Sequence, residues 1–195
     1  MKQLIYILLI PIIFSCNSST PIEVKQIDSN EIVTILPSLK NPLIKDSVVI
    51  SIPTEFEISI NSELVRGIDL NYIINKKRLT DHIFDYQVYT KENKTNPIYS
   101  LEPFIANKKK INIIIKERNH LISKKEAYMF LKKYNINKSL DNLKFGDTIK
   151  LIPFNKFIND NQQLKDDLDR VSDSIYFRIM IQKEKSVILK EKINW

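Results

Sequence analysis

The chain has 195 residues, 43% of them hydrophobic and 27% charged, with a formal net charge of +7. That length suits one domain of ordinary size or two small ones. Cys16 is the only cysteine, which excludes an internal disulfide framework, and with His82 and His120 the only histidines a zinc site is excluded too. Two isolated glycines, Gly67 and Gly146, exclude a phosphate-cradling loop and are read as turn residues.

In chain order, Met1-Lys2-Gln3 precedes Leu4 to Phe14, a run that is apolar apart from the Tyr6 hydroxyl and Pro11. A helix of that length would cover about half of the ~30 Å hydrocarbon core, so the run suits an export signal better than a permanent span. Ile13-Phe14-Ser15-Cys16 resembles the lipobox of bacterial lipoproteins, in the looser form of Bacteroidota-like examples. The resemblance implies a signal peptide over 1–15, cleavage before Cys16, diacylation of its thiol and acylation of the new amino group. Three acyl chains give stable membrane anchoring where one is marginal. Asn17, where an Asp would favour the inner membrane of a two-membrane host, leans the expected location in the cell envelope toward the outer membrane.

Residues 16–45 are expected to be the lipid anchor and tether, beginning with the polar Asn17-Ser18-Ser19-Thr20-Pro21 and containing a candidate strand, Glu31 to Leu36, closed by Pro37. From Ser47 the apolar period becomes two, the sign of strands with one buried face. Val48, Ile50 and Ile52 share a face; then Phe56, Ile58 and Ile60; then, after Gly67, Ile68, Leu70, Tyr72 and Ile74; then Phe84, Tyr86 and Val88, with a further apolar run at Ile111 to Ile115. Strands so spaced predict an antiparallel β-sandwich, of immunoglobulin-like type, over 46–118.

Residues 119–195 read as an α+β region, a unit of its own or part of the same domain. Ser123-Lys124-Lys125-Glu126 fits a capping box, followed by Ala127, Phe130, Leu131 and Tyr134 at helical spacing. A short strand is expected at Thr148 to Ile152, a second helix around Asn161 to Val171, and a terminal β-hairpin from Ile175 to Leu189. The fold class is therefore mainly β with helices.

The basic clusters Lys76-Lys77-Arg78, Lys108-Lys109-Lys110, Lys124-Lys125 and Lys132-Lys133 are dispersed, with acidic residues between most of them. They read as solvated turns, and no nucleic acid is expected among the partners. Asp160, Asp166, Asp167, Asp169 and Asp173 lack the glycine and the alternate ligand spacing of a calcium loop and read as a solvated helix face. His82 and His120 lie in no catalytic motif and read as turn or edge residues. Asp46-Ser47-Val48, Asp147-Thr148-Ile149 and Asp173-Ser174-Ile175 resemble the O-glycan acceptor pattern of exported Bacteroidota proteins, which implies modification at Ser47, Thr148 and Ser174.

No catalytic residue, metal or cofactor is assigned. The expected class is a membrane-anchored lipoprotein, not an enzyme, whose β domain binds a protein or envelope partner as an immunity or inhibitor protein or a structural accessory. Two other classes make different demands on the fold. A lipoprotein that holds an anionic glycan or peptide needs lysines and tyrosines converging on one cleft. A hydrolase needs two carboxylates, or a histidine and a hydroxyl, meeting in a pocket.

Overall fold

The computed structural model describes residues 20–38, 46–81, 84–182 and 185–195. The apolar leader, Cys16 and His82 lie outside the described residues. The strands are β1 (Ile22–Ile27), β2 (Ile32–Pro37), β3 (Ser47–Ser51), β4 (Pro53–Ile60), β5 (Val65–Ile74), β6 (Lys77–Arg78), β7 (Tyr86–Thr90), β8 (Lys110–Glu117), β9 (His120–Ser123), β10 (Ile149–Pro153), β11 (Ser174–Ile181) and β12 (Lys185–Lys192). Helices α1 (Glu102–Ile105), α2 (Lys124–Lys133), α3 (Phe154–Asp160) and α4 (Gln162–Arg170) complete the described elements.

The strands form three four-stranded sheets in the orders β1-β4-β8-β7, β10-β2-β3-β9 and β12-β11-β5-β6. Every strand pairing is antiparallel. The first two sheets share a corner. β1 runs into β2, β3 into β4 and β8 into β9 after a few residues, and the order β1-β4-β8 on one side is matched by β2-β3-β9 on the other. Three long strands thus bend together, as when strands pass from one packed sheet to another. Fully buried Ile52 sits at the bend of the middle strand. Nearby, buried Glu55 accepts hydrogen bonds from Ser29 Oγ and Lys91 Nζ, each at 3.0 Å.

The period-two patterns explain which faces meet. Phe56 and Ile58 of β4, and Ile111, Ile113 and Ile115 of β8, point inward from the first sheet, and Ile68, Tyr72, Ile175, Phe177 and Ile179 point inward from the third. Phe56 and Phe177 meet edge to face across the two layers, with ring centroids 6.1 Å apart. Ser123 caps α2 by accepting from the Glu126 backbone N–H at 3.1 Å, and Ala127, Phe130 and Leu131 carry its buried stripe onto Phe157 of α3.

Mainly antiparallel β structure with helices is what the periodicity predicts; other features differ. The immunoglobulin-like pairing does not occur, because the strands of 46–118 are shared among three sheets and find partners outside that span: β3 pairs with β2 and β9, β4 with β1, and β5 with β11. One hydrophobic cluster takes residues from all three sheets and from α2 and α3, so 119–195 completes the same core. The fold also begins upstream of residue 46. β1 pairs with β4 along its whole length and β2 sits between β10 and β3, so residues 22–37 are sheet and not tether. Gly67 is not a turn residue. It lies inside β5, where a Cβ would stand 2.1 Å from Met180 Cε, so the missing side chain makes room for the methionine. Gly146, at φ +92, does occupy a turn.

Candidate functional site

The outer face of the third sheet carries a groove of about 770 Å³. Because Ile68 and Tyr72 turn inward on β5, Asp69 and Asn71 turn out; the same alternation puts Tyr176 and Arg178 outward on β11 and Ile188 and Lys190 on β12. Antiparallel register aligns them in rows, Asn71–Tyr176–Lys190 and Asp69–Arg178–Ile188. Arg78 of β6 and Lys76 of the β5–β6 turn close one end, and Tyr99 and Ser100 approach from the segment before α1.

Electrostatically the groove is one-sided. Lys76, Arg78, Arg178 and Lys190 line it against a single carboxylate, Asp69. None of these four cations forms an ion pair among the described residues. Lys190 Nζ lies over the Tyr176 ring, 5.6 Å from its centroid, so the aromatic face holds the ammonium without neutralising it. Lys76 adopts φ +66 and Asn75 φ +48, the left-handed pair that a two-residue hairpin turn requires. Such a backbone disfavours a side-chain-bearing residue, yet a lysine stands there at the groove rim.

A second constellation is internal. His120 Nε2 stands 3.3 Å from Glu117 Oε2 and 3.5 Å from Asp173 Oδ2, close enough for strong electrostatics but without hydrogen-bond alignment. The Trp195 ring meets the imidazole edge to face at 5.5 Å. The Asn119 backbone N–H donates to the other Glu117 oxygen. Burial pushes the Glu117 carboxyl up to about 7, and Asp173 adds to the rise while His120 and Asn119 oppose it. Burial alone would lower His120, but the Glu117 and Asp173 carboxylates outweigh it and hold the imidazole above its ordinary value. Burial first, then those two carboxylates, also keep the Tyr72 hydroxyl well above the usual phenol range.

This junction ties together the end of β8, the start of β9, the residue that leads into β11 and the last part of β5, one or more from each sheet. His120 opens β9, an edge strand as expected, but its side chain turns into the junction and not to solvent. It has the acidic partners that histidine chemistry needs, but its side chain is 13% exposed, Glu117 and Asp173 are closed off, and none of these residues lines the groove. Among the described residues no group of His, Cys, Asp and Glu is arranged to hold a metal ion.

The remaining sequence candidates fall apart spatially. Asp167 and Asp169 pair with Arg170 and Lys165 on α4, the solvated helix face expected, while Asp173 leaves that group for the junction. Lys108 pairs with Glu92 at 2.9 Å, Lys110 with Glu57 at 2.8 Å, and Lys124 reaches Asp141 at 3.6 Å, as solvated clusters do; only Lys76 and Arg78 turn into a cleft. Of the three glycan candidates, Thr148 is exposed and Ser47 is half-buried in β3. Ser174 is buried at the start of β11, which withholds its hydroxyl from a modifying enzyme once the chain has folded. Tyr176, Arg178 and Lys190 were not singled out by motif; the alternation of Ile175, Phe177 and Ile179 places the first two on the opposite face, but nothing local shows that β5 and its turn lie alongside.

Comparison with protein families, curated proteins and solved structures finds no match for the chain. No helix among the described residues is long and apolar enough to cross a membrane.

Proposed function

We propose that the chain is a lipid-anchored protein of the cell envelope, held by acyl groups on Cys16, whose β domain is a non-catalytic binding module for an anionic partner, with the outer groove of the third sheet as its binding surface. The observation that carries the binding site is the convergence of Lys76, Arg78, Arg178 and Lys190, against the single carboxylate Asp69, on one groove that also offers Tyr99 and Tyr176. Cations left unpaired in a concave surface focus a positive potential and speed capture of a negative ligand. The aromatic faces suit either sugar rings or peptide side chains.

The non-catalytic reading is supported by the separation of chemistry from access. The histidine that meets carboxylates is sealed inside a junction between sheets, and the groove that is open offers cations, serines, tyrosines and the single carboxylate Asp69, with neither a histidine nor a second carboxylate. The anchor rests on the short apolar leader and on Ser15-Cys16.

One preparation tests both halves. Wild type and Cys16→Ala are expressed with the leader intact; the wild type partitions into the detergent phase with a lipid mass increase and the variant does not, and equal partitioning overturns the anchor. Arg178→Glu/Lys190→Glu, with folding checked by circular dichroism, is titrated with an acidic oligosaccharide and an acidic peptide. Reversal of two groove charges is expected to weaken binding by a factor of about ten or more; unchanged affinity for both ligands overturns the groove.

A further inference from the structure

The third sheet ends on β12, and this edge differs from every other sheet edge among the described residues. It is the longest, at eight residues, against six for β1, five each for β7 and β10, four for β9 and two for β6. The other long edges are blunted. Gln26 of β1 exchanges hydrogen bonds with the Asn194 backbone, the Ile98 bridge covers β7, and Pro153 ends β10. β12 has no such cover. It pairs with β11 in unbroken register from Lys185 to Lys192, without a bulge or proline, and nothing described lies along its other side. Val187 is 42% and Ile188 64% exposed.

A long uncovered strand of this kind is a template for another chain, because alternate N–H and C=O groups of an edge strand point away from the sheet with only water to satisfy them. Charge decides which chain. β12 carries Lys185, Lys190 and Lys192 against one Glu191, and the groove beside it adds Arg178 and Arg78. A second copy of β12 paired antiparallel over its full length would set Lys185 against Lys192 at both ends and leave Lys190 without an acid opposite it, and like charges across a strand pair destabilise it. An acidic strand would relieve them.

We propose that β12 binds an extended acidic peptide segment of a protein partner by strand addition, extending the third sheet by one strand. The acidic preference rests on the groove reading above; the free ladder of β12 is what narrows the anionic partner to a peptide. Register carries the specificity. The added strand continues the rows Asn71–Tyr176–Lys190 and Asp69–Arg178–Ile188, so on the groove face it places an Asp or Glu beside Lys190 and an apolar residue beside Ile188. Its backbone takes the open β12 amides and carbonyls.

The test leaves the protein intact and changes the peptide. Full-length chain is titrated with a fluorescent peptide of repeating Glu-Thr-Val-Thr, which sets Glu and Val in turn along one face, and with two versions N-methylated at alternate residues, one for each register, which removes the donors that would face β12. At least one N-methylated version is expected to bind about tenfold more weakly, and hydrogen exchange of β12 amides is expected to slow on binding of the unmodified peptide while β9 amides stay unchanged. If both N-methylated versions bind as tightly as the parent, strand addition is overturned and the cationic groove stands. If Arg178→Glu/Lys190→Glu binds the parent peptide unchanged, the groove reading fails as well. An oligogalacturonate bound tenfold better than the peptide, or β12 protection arising from self-association without peptide, overturns the choice of occupant.

Discussion

His120, Glu117 and Asp173 gather on the inside of the fold, and Lys76, Arg78, Arg178 and Lys190 gather on its outside. The two groups touch along β11, where Asp173 faces the junction and the next residue, Ser174, lines the groove. Inside, charges of opposite sign neutralise one another in a medium that penalises any left alone. Outside, charges of one sign are tolerated because water screens them, and they keep their capacity to bind. The junction's electrostatics therefore go into holding three sheets together, and those of the groove stay uncompensated, as the proposed binding surface requires.

The sharpest way to break that contrast is to remove the histidine. His120→Ala leaves two buried carboxylates facing each other without a cation, and the expected loss of stability at pH 7 is about 3 kcal/mol, or a fall in Tm of about 10 °C for a chain of this size. Peptide affinity at a temperature where both proteins are folded is expected to stay within twofold. A loss below about 1 kcal/mol would show that the junction is not a charge-compensated unit, and a large loss of affinity would show that inside and outside are not separable.

A pH series sharpens the same point. For both Glu117 and His120 the folded state holds the proton more tightly than the unfolded chain does, so both favour the acid side. Glu117's contribution is complete below the ordinary carboxyl value of 4.5 and is lost as pH rises toward about 7. His120's is complete below 6.5 and is lost as pH passes above that ordinary value through its raised one. The junction is thus expected to make Tm fall between pH 5 and pH 8, and Glu117→Gln to flatten the part of the slope below pH 7. Parallel slopes for wild type and variant would remove Glu117 from the account.

The two regions were unequally legible in the sequence. Period-two alternation locates most strands and states which residues face out, so Tyr176 and Arg178 are readable as surface residues of β11 from Ile175, Phe177 and Ile179 alone. It carries no information on which strands pair. β5 and β11 are about a hundred residues apart in the chain, and their adjacency makes the groove; His120 and Asp173 meet across a similar kind of long-range closure. The capping box at Ser123 was readable because it is local chemistry, four residues long. α3 is not legible because it follows Pro153 directly and its apolar residues, Phe154, Phe157 and Ile158, form a single short turn-and-a-half of pattern. β1 is hidden within the polar start of the chain because it alternates Ile22, Val24 and Gln26, one apolar residue short of a clear strand.

The smallest effect concerns the residue that joins local strain to the groove. Lys76 holds φ +66 in the two-residue turn between β5 and β6, where glycine adopts the same backbone without a Cβ penalty. Lys76→Gly is expected to raise stability by about 0.5 to 1 kcal/mol, as measured by urea unfolding, while weakening an acidic peptide by a factor of two to five, on the order of one groove charge. Opposite signs for folding and binding are what a functional lysine in an unfavourable turn predicts: the chain accepts a less stable hairpin to keep a cation at the groove rim. If the substitution lowers stability, the lysine's backbone is not strained; if it leaves binding unchanged, the cation lies outside the ligand's reach, and the positive surface contracts to Arg78, Arg178 and Lys190.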